Sequence, residues 1–284
     1  MALVVCYAVV RLLHLSVYFA AAGDDPALRR QVLLSLVTSV VPAVTLLAVG
    51  VALGGPWQRP IWLVAVLYDL AIIFLTSRGG GGWVVRSATH FAERHAGVVI
   101  LALGESIVAI AVGVAQRPLS WPIIAATVLA LAIVGGLWSS YFDRIAGLLE
   151  EALASLSGQP RARLGRDLFT YLHFPAVFGV ILAALGIEQA MAYLDAGRIG
   201  PTGAFALGVG LAVSLTGAFG AAWRAVGVRL PWRLGAVVLL LGLAAFGGGW
   251  HPLAALGVAA GVLMLLAVVE SRRPGDRPDL IAQS

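Results

Sequence analysis

Nine apolar runs, each close to the length of a bilayer-spanning helix, account for most of this sequence. A spanning helix needs about 20 mostly apolar residues. In hydrocarbon, backbone N–H and C=O groups must bond within the protein, which favours helices for such runs. The sequence therefore predicts an all-α, polytopic integral membrane helical bundle with about nine transmembrane helices, at residues 2–22, 32–53, 61–76, 97–114, 121–142, 168–190, 202–222, 234–248 and 252–269.

Composition supports this fold class and excludes several functions. Of 284 residues, 60% are hydrophobic and 12% charged, whereas soluble domains carry roughly 25% charged residues. The net charge of +5 comes from arginines spread between the apolar runs, so no basic domain for nucleic acid is expected. Cys6 is the one cysteine, which supports neither a disulfide framework nor a thiolate metal site. No metal or cofactor is predicted, and the lipid bilayer is the expected partner.

The arginines also predict the orientation of the chain. Of the 19 basic residues, 15 follow odd-numbered runs, three follow even-numbered runs, and Arg11 lies inside the first run. Loops rich in arginine stay in the cytoplasm. We therefore expect a transmembrane domain over 1–270 in the cell (cytoplasmic) membrane, a disordered cytoplasmic tail over 271–284, and Met1 outside.

Four charged side chains fall well inside apolar runs, at Arg11, Asp69, Glu105 and Glu188. A charge at the bilayer centre costs roughly 2.5–3.5 kcal/mol on insertion scales, so such residues are paired, hydrated or functional. Asp69 and Glu105 lie midway along consecutive runs, which predicts an antiparallel pair with both acids at similar depth. Two neighbouring carboxylates cannot both ionise cheaply, which favours a proton relay or a cation site. The alternative is that Arg11 neutralises one acid in a structural clamp between helices.

Small residues in the runs predict close helix packing. Gly104 and Ser106 flank Glu105, and Gly257 and Gly261 form a GxxxG pattern in the last run. Ser106 is also a candidate site residue because of its place beside Glu105. Tyr141 closes the fifth run in a Tyr-Phe-Asp segment that is typical of an interfacial aromatic anchor.

Polar residues gather at the predicted cytoplasmic edge. His90, Glu93, Arg94 and His95 enter the fourth run, and His173 opens the sixth. This group favours either a substrate or proton gate with capacity for acid–base work, or a charged collar beside the membrane. Between the fifth and sixth runs, the sequence of the connection 143–167 predicts a short amphipathic helix on the membrane surface or a solvated linker.

Several of these segments together resemble one known family. They are His90-Phe91-Ala92-Glu93-Arg94 running into Leu101–Ile110 with Gly104-Glu105-Ser106, Trp138 with Tyr141-Phe142-Asp143, Tyr171-Leu172-His173-Phe174-Pro175, Gly186-Ile187-Glu188, and Tyr68-Asp69-Leu70. This set is similar to the bacterial low temperature requirement A family. Its members usually begin with a Glu-Leu-Phe-Phe-Asp-Leu-Val-Phe-like helix, which this chain lacks. The resemblance therefore implies a start about three helices late, as a fragment, a misassigned start or a short paralogue.

The resemblance implies a fold and a location better than an activity, so three functions are compared. The first is a secondary transporter or proton/ion-coupled permease for an unknown small solute or ion, which the mid-membrane carboxylates favour. The second is a non-catalytic membrane stress-response protein. The third is a membrane-embedded enzyme using the edge cluster, although we expect no enzyme. A homo-oligomer is a further possible assembly.

Overall fold

The structure is a computed structural model that describes residues 1–77, 85–115, 117–228 and 230–272. The predicted tail over 271–284 lies almost wholly outside the described residues. Within them, nine helices are long and apolar enough to cross a membrane, which confirms the all-α bundle. They are α1 (Ala2–Ala21), α2 (Pro26–Leu53), α3 (Gly55–Ser77), α4 (Ala88–Ala115), α5 (Trp121–Ala154), α6 (Gly158–Ala192), α7 (Gly200–Val226), α8 (Pro231–Gly249) and α9 (Pro252–Ser271).

The described residues fall into two compact units. The first contains residues 1–77 together with 158–163, and the second contains residues 85–157 together with 164–272, with the gaps given above. The first unit is built mainly from α1, α2 and α3, and the second from α4 to α9. Each unit has its own apolar core.

A π-helical segment, Leu36–Val40, interrupts α2 in the first unit. Pro42 explains it, since proline has no N–H to donate and its ring clashes with the carbonyl four residues earlier, that of Thr38. A wider turn relieves the clash, although Pro42 itself supplies no backbone donor to this carbonyl. The hydroxyl of Tyr68 on α3 donates to the Thr38 oxygen at 2.7 Å and so satisfies it.

The turn between α2 and α3 contains Gly54 and Gly55, whose positive φ angles of 60° and 51° favour glycine. Helix α3 therefore begins at Gly55, six residues before the predicted run at 61–76. Beyond the turn, the ring of Trp62 packs against Gly50, and its Nε1 donates to the Leu47 carbonyl at 3.1 Å. This contact holds α2 and α3 together as a hairpin.

In the second unit, α7 is the most buried helix and packs against α6 and α8. Glycines allow this approach, because a Cβ on Gly186 would overlap the backbone nitrogen of Leu207. Within the described part of one chain, no such close contact forms at Gly104, Gly257 or Gly261, since a Cβ there meets no atom within 4 Å. In the described part of the chain, these three glycines do not lie at a close contact between helices.

The connection 143–167 is neither a surface helix nor a linker. It continues α5 through the π-helical segment Phe142–Ala146, and it starts α6, which contains a second such segment, Asp167–Leu172. Leu149 and Leu153 are fully buried in the core of the second unit. The hydrophobic residues that predicted an amphipathic surface helix therefore pack inside the protein.

The last two helices form the hairpin that the sequence predicts. The short 3-10 turn Gly247–Gly249 ends α8, and the ring nitrogen Nδ1 of His251 accepts a hydrogen bond from the backbone N–H of Leu253 at the start of α9. The carbonyl of Trp250 accepts from the N–H of Ile199 at 3.0 Å. This bond joins the hairpin to the connection between α6 and α7.

Candidate functional site

Asp69 lies at the centre of a polar cluster in the first unit, formed by Tyr7, Arg11, Ser39 and Asp69. The Arg11 guanidinium donates to Ser39 Oγ at 2.6 Å and lies 3.4 Å from Asp69 Oδ1. The Ser39 hydroxyl in turn donates to Asp69 Oδ1. Tyr7 donates its hydroxyl to Asp69 Oδ2 at 3.2 Å. Both carboxylate oxygens are thus bonded, and the ion pair that the sequence offered for Arg11 is formed with Asp69.

Local helix geometry places these groups. Tyr7 and Arg11 are four residues apart on α1, so they share one face, and the guanidinium lies 5.8 Å from the Tyr7 ring centre. Ser39 lies in the π-helical segment that Pro42 imposes on α2. Arg11 and Asp69 keep 25% and 16% of their side-chain surface exposed. The pair is therefore partly accessible.

Glu105 is exposed on α4 and has no ion pair within the described residues. It belongs to the second unit, whereas Asp69 belongs to the first, so their proximity stays a prediction. Ser106, beside it, faces the core, is fully buried, and its hydroxyl has no hydrogen-bond partner in the described chain. Glu188 is exposed on α6. No hydrogen bond or ion pair joins Glu105, Ser106 and Glu188 to one another within the described residues.

The edge residues on α4 separate into two groups. His90 and Glu93 form a loose pair at 4.0 Å and keep 62% and 66% of their side chains exposed, and Arg94 is also exposed. His95, one position further, is half-buried and its Nδ1 is bonded to the Phe91 carbonyl at 2.8 Å. Only His95 of these four turns towards the bundle interior.

His173 lies with His95 in a histidine–aromatic cluster, formed by Phe91, His95, Tyr141, Phe169 and His173. The two imidazole rings meet edge to face, with centres 5.6 Å apart, and His173 Nε2 is bonded to the His95 carbonyl at 3.1 Å. Tyr141 is 6% exposed and its ring lies 5.8 Å from that of His173. The prediction of Tyr141 as an interfacial anchor was therefore wrong, because it packs in the core.

A second ion pair, Arg233–Glu270, was not found by sequence reasoning. Arg233 Nε and Nη2 donate to the two Glu270 oxygens at 2.7 and 3.0 Å. Nη2 also donates to the Ser140 carbonyl at 2.8 Å, next to the π-helical segment of α5. The two side chains are 0% and 5% exposed, so this pair is sealed. Its residues stand at the ends of apolar runs, where the sequence pattern treats charges as loop residues.

Comparison with known proteins identifies the family. Residues 1–268 match the family described as bacterial low temperature requirement A protein (LtrA). The chain belongs to the LtrA family. No match was found among curated proteins or among solved structures.

Apart from Tyr68-Asp69-Leu70 on α3, the family-like segments of this LtrA chain lie on three of the helices described above. The Glu93 to Ile110 stretch lies on α4, the Trp138 to Asp143 segment on α5, and the Tyr171 to Glu188 region on α6. The histidine–aromatic cluster contains residues from all three. The family is bacterial and the helices are membrane-spanning by length and composition, so the chain is a multi-pass membrane protein.

Proposed function

We propose that this LtrA chain is a proton- or ion-coupled secondary transporter of a small solute, with Asp69 as the coupling carboxylate. The observation that carries this proposal is the partly accessible ion pair of Arg11 and Asp69 inside membrane helices. Charged groups in such helices are expensive and mark ion or substrate pathways by default. Glu105, the second mid-helix acid, is proposed to take part in the same pathway.

The Arg11–Asp69 and Arg233–Glu270 ion pairs differ in a way that supports this assignment. Arg233 and Glu270 are sealed by protein and bonded at short range on both oxygens. The distance between Arg11 Nη2 and Asp69 Oδ1 is longer, at 3.4 Å, and one quarter of the Arg11 side chain is exposed. A sealed pair suits a permanent clamp, whereas a pair that the protein leaves partly uncovered suits a group that exchanges partners.

Protonation of Asp69 gives the proposed coupling step. A neutral carboxyl no longer attracts the Arg11 guanidinium, while the hydroxyls of Tyr7 and Ser39 can still bond to it. Ser39 lies in a π-helical segment, and such segments are frequent at functional sites. Proton uptake therefore removes the charge attraction that holds Arg11 at Asp69 and leaves its bond to Ser39, and a cation at Asp69 would have the same effect.

The test is proton movement in proteoliposomes that contain the full chain and a pH-sensitive dye inside. A panel of inorganic cations and small organic solutes is added outside, with and without an imposed pH gradient. We expect at least one solute to change the internal pH faster than in protein-free vesicles. We expect Asp69→Asn to remove this response, because asparagine keeps the shape of the side chain but cannot take up or release a proton.

The matched control is Asp195→Asn, which removes a carboxylate from an ion pair with Arg117 at 2.6 Å. The side chain of Asp195, which lies just after the end of α6, is 88% exposed. The response should therefore persist in this variant. Proton movement that equals protein-free vesicles for every solute would reject transport and favour the non-catalytic membrane protein. A response unchanged by Asp69→Asn would reject Asp69 as the coupling group.

A further inference from the structure

Hydroxyl groups in the membrane helices usually bond to their own helix. Side chains of serine and threonine in a helix commonly donate to a carbonyl three or four residues earlier, which removes the cost of placing a hydroxyl in an apolar environment. This arrangement occurs at Ser16, Thr38, Thr45, Thr76, Thr127 and Thr216, with distances of 2.7 to 2.8 Å. A buried hydroxyl that does not follow this pattern therefore calls for another partner.

Three buried residues in the second unit break the pattern and line the same cavity. Ser140 and Tyr141 come from α5 and Ser214 comes from α7, and they are 6%, 6% and 7% exposed. They line a cavity with a volume of about 10 Å³, whose other walls are apolar residues of α4 to α7. Within the described residues, their side chains make no hydrogen bond. Thus three residues with unpaired hydroxyls line one small internal space.

We infer that this cavity binds one water molecule, shared by the hydroxyls of Ser140, Tyr141 and Ser214. An unpaired buried hydroxyl costs roughly 1–3 kcal/mol in proteins, so three together are a large penalty. A water needs about 10–15 Å³ and two to four polar partners. The cavity volume and the three hydroxyls meet both conditions, and the narrow space limits the ligand to a molecule of that size.

The position of the water follows from the groups on each side of it. The Ser140 carbonyl accepts from Arg233 of the sealed ion pair at 2.8 Å. The Tyr141 ring packs against His173 of the histidine–aromatic cluster at 5.8 Å. The bound water therefore lies between the sealed ion pair and the histidine–aromatic cluster, and it joins α5 to α7. This inference does not depend on transport, because it concerns hydration of the second unit alone.

Hydroxyl-radical footprinting of the full chain in detergent, read by mass spectrometry, tests the site. X-rays split bound water and label the side chains next to it, even where bulk solvent has no access. We expect label on Tyr141 despite its burial. Phe169 is 5% exposed in the same unit and does not line the cavity, so it should stay unlabelled. A Tyr141 as unreactive as Phe169 would overturn the inference without any variant.

A pair of variants on α7 adds the matched comparison. Ser214→Val fills the cavity and removes one hydroxyl, so the label on Tyr141 should be lost. Thr216→Val removes a hydroxyl that is bonded to the Ala212 carbonyl, so the label should persist. Equal labelling of Tyr141 in wild type and Ser214→Val would show that radicals arrive from outside the cavity, and this result would also overturn the inference.

Discussion

Two ion pairs of this chain contain similar chemical groups but differ in their contact with the surroundings. Burying an ion pair costs desolvation, and the attraction between the partners repays it only when the remaining donors and acceptors are also bonded. Arg233–Glu270 meets this condition in part, through two short bonds and the Ser140 carbonyl, while Nη1 of Arg233 has no hydrogen-bond partner among the described residues. Arg11–Asp69 meets it through the hydroxyls of Tyr7 and Ser39. In both cases a single charge-removing substitution leaves the opposite charge without its partner.

At the sealed pair, Glu270→Gln should destabilise the protein strongly, because Arg233 would keep a buried charge with no counter-ion. Removing one partner of a buried pair typically costs about 3–5 kcal/mol. Thermal melting in detergent, followed by circular dichroism, measures the loss. The double variant Arg233→Met/Glu270→Leu should recover most of it. A Glu270→Gln melting temperature equal to wild type would contradict the structural role of the pair.

At the mid-helix acid of α4, Glu105→Gln should leave thermal stability unchanged, since Glu105 is exposed and has no ion pair within the described chain. If Glu105 belongs to the proposed pathway, the same variant should lose solute-driven proton movement in proteoliposomes. A lower melting temperature that Arg11→Met restores would point instead to a clamp between Glu105 and Arg11. The two measurements together separate the proposed proton pathway from a structural role.

Sequence reasoning found Arg11 and Asp69 because a charge inside an apolar run is conspicuous. It missed Tyr7 and Ser39, since hydroxyls are common in membrane helices and usually bond locally. It also missed Glu270, which ends the last run and looks like a residue at the membrane boundary. Burial at such an end depends on neighbouring helices, which the sequence alone does not place.

At the scale of helices, close packing requires glycine at some positions and not at others. On α6, Gly186 lies against the backbone of α7, where there is no room for a methyl group. On α4, Gly104 has open space around it within the described residues. The sequence does not separate the two cases, because both glycines occur in apolar helices. Only the arrangement of neighbouring helices shows which glycine is required.

The substitutions Gly186→Ala and Gly104→Ala should therefore change the melting temperature in opposite directions. Alanine is a better helix former than glycine by up to about 1 kcal/mol, so Gly104→Ala should keep or raise the melting temperature. Gly186→Ala should lower it, because its Cβ would overlap the Leu207 nitrogen and force α6 and α7 apart. Thermal melting of both variants in one detergent makes the comparison. A stabilising Gly186→Ala would contradict the close packing of these helices.

Proline has a comparable effect on helix geometry. Pro42 and Pro175 follow the π-helical segments Leu36–Val40 and Asp167–Leu172. Proline cannot donate to the preceding turn and crowds its carbonyl, which accounts for the wider turn. The placement of Ser39 towards Asp69 could not be predicted from Pro42 alone, because it depends on the geometry of the turn before this proline.

At the scale of the whole molecule, the number of spans follows from run length alone. The exposure of individual residues does not, because lipid-facing and buried positions are both apolar in a membrane protein. This is why Leu149 and Leu153 were assigned to a surface helix although they are fully buried. The orientation in the membrane stays a prediction that depends on the arginine distribution.

The C-terminus should lie in the cytoplasm, since 15 arginines are predicted on one side of the membrane and three on the other. Fusions of alkaline phosphatase and of green fluorescent protein after Ser284 measure this orientation in bacterial cells. We expect fluorescence and no phosphatase activity, because the phosphatase folds only outside the cytoplasm. Active phosphatase with a dark fluorescent fusion would reverse the predicted topology.

In the proposed transport cycle, the Arg11–Asp69 pair would have an electrical consequence for the cell. While both groups are ionised, their charges cancel and the membrane potential exerts almost no net force on the pair. A proton bound to Asp69 leaves one positive charge within the membrane helices. A full charge moved across the bilayer gains about 2.3 kcal/mol per 100 mV, so a potential that is negative inside draws this charge towards the cytoplasm. A transport cycle that moves the protonated cluster would therefore be driven by voltage as well as by pH.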